Sequence, residues 1–99
     1  MITLYPSPTI DQVHDQANAV AAIHFSDEEG NKANRMRKII SVAAIRELCR
    51  PMPTFDEIGA QVGLTMPAAY RALASWERLP DDQRKTLMMS VVRKLQVTM

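Results

Sequence analysis

Apolar residues return at helical intervals along most of this chain, and prolines, glycines and capping residues divide the repeats into blocks. Thr9 can cap a helix from Ile10 to about His24, with Ile10, Val13, Ala17, Val20, Ala21 and Ile23 supplying its apolar positions. A second pattern runs from about Lys32 to Cys49, with Met36, Ile39, Ile40, Ala43, Ala44 and Leu48 as the inward stripe. Between them, Ser26 to Asn34 reads as a loop, which Gly30 favours. The alternative is that Ser26 caps a new helix with Glu29 as its partner. The segment RPMPT ends the second block, because two prolines in three residues cannot continue a helix. Residues 1–8 hold two prolines and no periodicity, and they read as an extended arm that a neighbour can order in part.

Residues 54–76, TFDEIGAQVGLTMPAAYRALASW, have the spacing of a helix-turn-helix. Thr54 with Glu57 three residues later forms a capping-box pattern, and Phe55, Ile58, Gly59 and Val62 then recur on one face. Gly59 leaves out a side chain where the following segment must approach closely, at roughly 1 kcal/mol of helix propensity. Gly63 suits the bend, since glycine enters left-handed backbone without steric penalty, and Leu64 can plug the corner. Thr65 caps the second helix, and Pro67 falls in its first turn, where the missing amide proton costs little. Ala69, Ala72, Leu73 and Trp76 then face inward, leaving Met66, Pro67, Tyr70, Arg71, Ala74 and Ser75 outside.

The run EIGAQVGLTMPAAYRAL resembles the helix-turn-helix of prokaryotic transcriptional repressors, and its GLT followed by a small-residue helix is similar to small plasmid-encoded repressors of the KorA type. The family pattern places its alanine at Gly59, its turn glycine at Gly63, its polar cap at Thr65 and its branched apolar residue at Ala69. This chain departs at the first and last of these positions. The resemblance covers about 23 of the 99 residues. It implies a helical homodimer that binds a palindromic operator.

Beyond this unit, LPDD stops one helix and starts another, with Asp81 or Asp82 available as a cap. Leu87, Met88, Val91, Val92 and Leu95 give the last helix an apolar side that spills onto Met89. That band looks wide for one small domain, so part of it is expected to meet a second copy, as is part of the 10–24 helix. Adaptable methionines filling core gaps are the alternative. A dimer would hold two recognition helices about 34 Å apart, the spacing of successive major-groove faces.

Charge is more informative in its distribution than in its total, which is only +1. Residues 1–30 carry five acidic groups and no Lys or Arg, whereas residues 31–99 carry twelve basic groups against six acidic ones. An acidic front on a basic body is suited to orienting on a polyanion. Lys32, Arg35, Arg37 and Lys38 form the densest basic run, which also fits a solvated helix face. Arg78, Arg84 and Lys85 lie just beyond the second helix of the unit and can grip a backbone. The candidate DNA contacts are therefore Thr65, Met66, Pro67, Ala68, Tyr70, Arg71, Ser75 and Arg78, with Arg35 and Lys38. Arg71 is the one cation on a face of small and apolar residues, although base reading usually draws on Arg, Asn, Gln or Lys.

At 99 residues the chain suits one domain, 9–99, behind the arm, and it is expected to be all-α, a compact bundle of four to five helices. No apolar stretch nears the roughly 20 residues that cross a bilayer. The N-terminus lacks the basic start and apolar run of a signal peptide. The lone Cys49 reads as a core residue in a reducing cytoplasm. His14 can face solvent, His24 sits near a helix C-terminus, and neither belongs to a recognisable metal set. No phosphate-cradling glycine loop, HExxH or nucleophile–base pair is present, so neither catalysis nor a cofactor is expected. Two readings follow: a homodimeric repressor on double-stranded DNA, or an assembly module whose apolar face of Met66, Pro67, Ala68 and Tyr70 meets a protein partner.

Overall fold

The computed structural model describes residues 4, 6–25 and 30–98, and its described residues form helices and connections without strands. The helices are α1 (Ile10–His24), α2 (Gly30–Leu48), α3 (Phe55–Val62), α4 (Met66–Glu77) and α5 (Asp81–Thr98). The all-α expectation is met. Each start has a local cause where a cap is visible. The Thr9 hydroxyl accepts from the Gln12 amide while the Gln12 side chain accepts from the Thr9 amide, and Thr54 and Glu57 repeat this reciprocal arrangement at α3. Thr65 caps α4 by accepting from the Ala68 amide at 3.3 Å.

α2 is the organising element and packs against all four other helices. Residues 39–45 of α2 are buried without interruption, Ser41 among them, so this helix has no solvent face along its middle. α1 closes one side with Val13, Ala17, Val20 and Ala21, and α5 contributes Leu87, Met88, Val91, Val92 and Leu95. Ile58, Ala72 and Trp76 join the same core from α3 and α4.

Several expectations are corrected. Gly30 to Asn34 are helical and not loop, because α2 begins two residues before Lys32; the alternative cap at Ser26 with Glu29 lies outside the described residues. Ile23 is 62% exposed, since the core stripe of α1 ends at Ala21. Asp81 and Asp82 lie inside the first turn of α5 and do not cap it; they still complement its dipole. The apolar side of α5 is not surplus: its five core residues are each 8% exposed or less within one chain, and only Met89 at 38% and Val97 at 85% remain outside. The width of that band therefore no longer argues for a second copy. The described residues of the arm meet the rest of the chain, for Pro8 is buried, Leu4 packs on the core, and Ser7 Oγ accepts from the Arg50 amide at 2.8 Å. Met1 to Thr3 and Tyr5 lie outside the described residues.

Candidate nucleic-acid interface

The three residues between α3 and α4 set the angle at which α4 is presented. Gly63 adopts φ +81° and ψ +35°, and its amide and that of Leu64 both donate to the Gly59 carbonyl at 2.8 Å. A Cβ on Gly59 would stand 2.5 Å from the Leu64 carbonyl oxygen. The approach that requires this glycine is thus made first by the backbone of the turn. Ala69, Ala72 and Trp76 then anchor α4, while Met66, Pro67, Tyr70 and Arg71 are exposed. Ala68, Ala74 and Ser75 are half-buried, which puts them at the margin of the displayed face.

Tyr70 is exposed yet held. Its ring stacks on Phe55 with centroids 3.8 Å apart and 23° between planes. The Arg46 guanidinium carbon lies over the Phe55 ring, 4.6 Å from its centroid. One face of Phe55 is taken by Tyr70, so the cation occupies the other. This stack ties α2, α3 and α4 together on the surface. Helical spacing marks Phe55 only as an inward residue and does not single out Arg46. Spacing gives no signal for it: Arg46 follows Arg35 by eleven residues, close to three helical turns, yet Arg35 borders the Arg71 groove and Arg46 does not.

Five of the ten candidate contact residues meet around one groove. Arg35 and Lys38 of α2 face Ala68, Arg71 and Ser75 of α4 across a floor of Ile39, Leu64 and Ala72, enclosing about 190 Å³. Three cations from two helices therefore border a shallow apolar trough. Thr65, Met66, Pro67 and Tyr70 do not line it; they form the exposed leading end of α4. Arg78 is the C-cap of α4, about 20 Å from Thr65 at 1.5 Å per residue, and does not join the groove. The basic run of α2 also divides: Arg37 donates to Asn34 and lines a different cavity beside α1. Arg84 pairs with Asp81 and shares a third cavity with Lys85, so these two residues do not extend the Arg71 groove.

His14 is half-buried rather than facing solvent, its Nδ1 lying 2.7 Å from the hydroxyl of buried Ser41 and its Nε2 3.3 Å from Asn18 Nδ2. That contact gives the polar Ser41 a partner inside the α1–α2 interface. Burial pushes the Cys49 thiol up to about 11, against a smaller opposing pull from Arg50, so it stays protonated near neutrality. Among the described residues no group of three or more His, Cys, Asp or Glu side chains could hold a metal ion. No described helix is long and apolar enough to cross a membrane.

No protein-family model matches this chain, and neither does any curated protein or solved structure. The likeness to repressors consequently rests on residues 54–76 of the chain itself.

Proposed function

We propose that this protein is a sequence-specific double-stranded DNA-binding regulator in which the α3–turn–α4 unit acts as a helix-turn-helix. The observation that carries the reading is the meeting of Arg35, Lys38 and Arg71 along one flank of an α4 whose leading end is uncovered. In this reading the α4 end bearing Thr65, Met66, Pro67 and Tyr70 enters the major groove. Met66 and Ala68 supply apolar contact to thymine methyl groups, and Arg71 reaches a base edge or a phosphate. Arg35 and Lys38 hold the backbone alongside, where contact positions the protein without reading sequence. Arg78, farther along α4, is assigned at most a separate phosphate.

The active form is a homodimer on a palindromic operator, and repression follows where that operator overlaps a promoter. No catalytic step and no cofactor is assigned, and the working compartment is the cytoplasm. The exposed Ile23, Met89 and Val97 are the apolar side chains of α1 and α5 that a second copy would cover. An assembly module that contacts protein is the second reading, favoured by the 46% and 54% exposure of Met66 and Tyr70.

Selection from a pool of random duplexes, followed by competition between the selected and scrambled sequences, tests the proposal. Enrichment of a symmetric motif is expected. Arg71→Ala should then cost about 1–3 kcal/mol and relax one position if it reads a base, or weaken all duplexes uniformly if it meets phosphate. Failure to enrich any sequence, with binding insensitive to salt, would favour the protein-contact reading.

A further inference from the structure

Arg46, Phe55 and Tyr70 come from three different helices and meet in one column at the surface. Phe55, buried at the start of α3, lies in the middle. The Tyr70 ring stacks against it at 3.8 Å, and the Arg46 guanidinium carbon lies 4.6 Å from its centroid. Tyr70 is exposed and does not belong to the buried core, so filling the interior does not explain why α2 and α3 both contribute to holding it. Helical side chains lean toward the N-terminus of their helix, which lays Tyr70 over the turn of Met66 and Pro67, the uncovered leading end of α4. An exposed tyrosine ordinarily loses side-chain freedom when it docks. Here the stack restricts the ring before any partner arrives, so a contact costs less and is made at one place.

We infer that Tyr70 is a specificity-determining residue for a base edge in the major groove, and that Phe55 and Arg46 are positioning residues that hold its ring for that contact. The inference rests on the proposed DNA reading and deepens it. A restrained ring fits one base-pair edge and cannot swing aside to accommodate another. Arg46 does not border the Arg71 groove, where Arg35 and Lys38 are assigned phosphate, and its charge is directed at Phe55. The two sets of residues therefore divide the work. The groove cations supply affinity without reading sequence, and the column supplies discrimination.

The probes are the duplex enriched by the native chain from a random pool, each of its single-base-pair variants, and a scrambled duplex. Affinity for the scrambled duplex corrects for any loss of folded protein, which would weaken all probes alike. Tyr70→Ala should reduce the preference at one operator position by about tenfold. Phe55→Leu should relax the same position by about threefold to tenfold, and Arg46→Gln by about twofold to fivefold, with scrambled-duplex affinity unchanged. Phe55→Tyr keeps a ring to stack on and should retain the native preference. Adding Phe55→Leu to Tyr70→Ala should cost nothing further at that position, because the positioned ring is already gone. Arg46→Gln should leave the salt slope of binding as it was, since its charge meets a ring and not a phosphate. Arg46 is half-buried outside the core, so its variant keeps the test open where Phe55→Leu folds poorly. Preference unchanged in Tyr70→Ala or in Arg46→Gln, relaxation at a different position, equal weakening of enriched and scrambled duplexes, or a salt slope flattened by about 1 in Arg46→Gln would overturn the inference and leave the DNA reading standing. Enrichment of no duplex by the native chain would overturn both.

Discussion

α2 and α4 are both rich in small apolar residues, yet they end in opposite environments. The middle of α2 is buried on every side, from Ile39 through Ile45. α4 buries only Ala69, Ala72 and Trp76 and leaves its first turn and the Tyr70–Arg71 edge to solvent. The difference lies in the number of neighbours. α2 is covered by the other helices in turn, whereas among the described residues α4 rests on α2 and α3 alone to any extent and keeps an exposed outer face. A helix surrounded by its own chain holds the fold; a helix anchored by three residues is available for something else.

The largest contrast should come from truncation. Ile40→Ala, at a site 1% exposed, is expected to cost about 2–5 kcal/mol in denaturant unfolding. Tyr70→Ala should cost only about 0.5–1.5 kcal/mol, the value of its stack on Phe55. Equal losses would mean that α4 is as deeply integrated as α2. Next comes the turn that joins α4 to α3. Gly59→Ala drives a methyl into the Leu64 carbonyl and should cost about 1–3 kcal/mol, because the obstructing atom is backbone. Gly63→Ala meets open space but must hold φ +81°, which points to about 1–2 kcal/mol. A neutral Gly59→Ala would show that the turn can shift freely.

Cys49, at the end of α2, allows a test by pH. Its thiol is raised from 9.0 to about 11 by burial, so the folded state holds the proton more tightly than the unfolded chain. That contribution is fully present below pH 9 and is lost as pH rises through about 11. Stability should fall by about 2 kcal/mol across this window, and Cys49→Ala should lack that part of the decline. Parallel pH profiles for the two proteins would place the thiol in contact with water.

What was legible in the sequence was legible because it is local. Thr54, Gly63 and Thr65 fix their own caps and turn within four residues, so the bounds of α3 and α4 could be read directly. Burial of α2 on all sides could not, since a stripe at helical spacing names one face and Ser41 belongs to another. Among the described residues Ser41 is accommodated by His14, twenty-seven residues away. The breadth of the α5 band was likewise visible, but whether α1 and α2 or a second copy would cover it depended on packing between distant segments. The same limit applied to the basic residues. The run from Lys32 to Lys38 was visible as charge, but its division into Arg35 and Lys38 beside α4 and Arg37 beside α1 follows from how the helices cross.

The most direct measurement is the salt dependence of duplex DNA binding by the native chain and by an Arg35→Ala/Lys38→Ala variant. If these two side chains hold phosphates beside an inserted α4, log K should fall steeply with log salt, and the variant should flatten that slope by about 2. A slope unchanged by the double substitution, with the fold intact, would contradict the account.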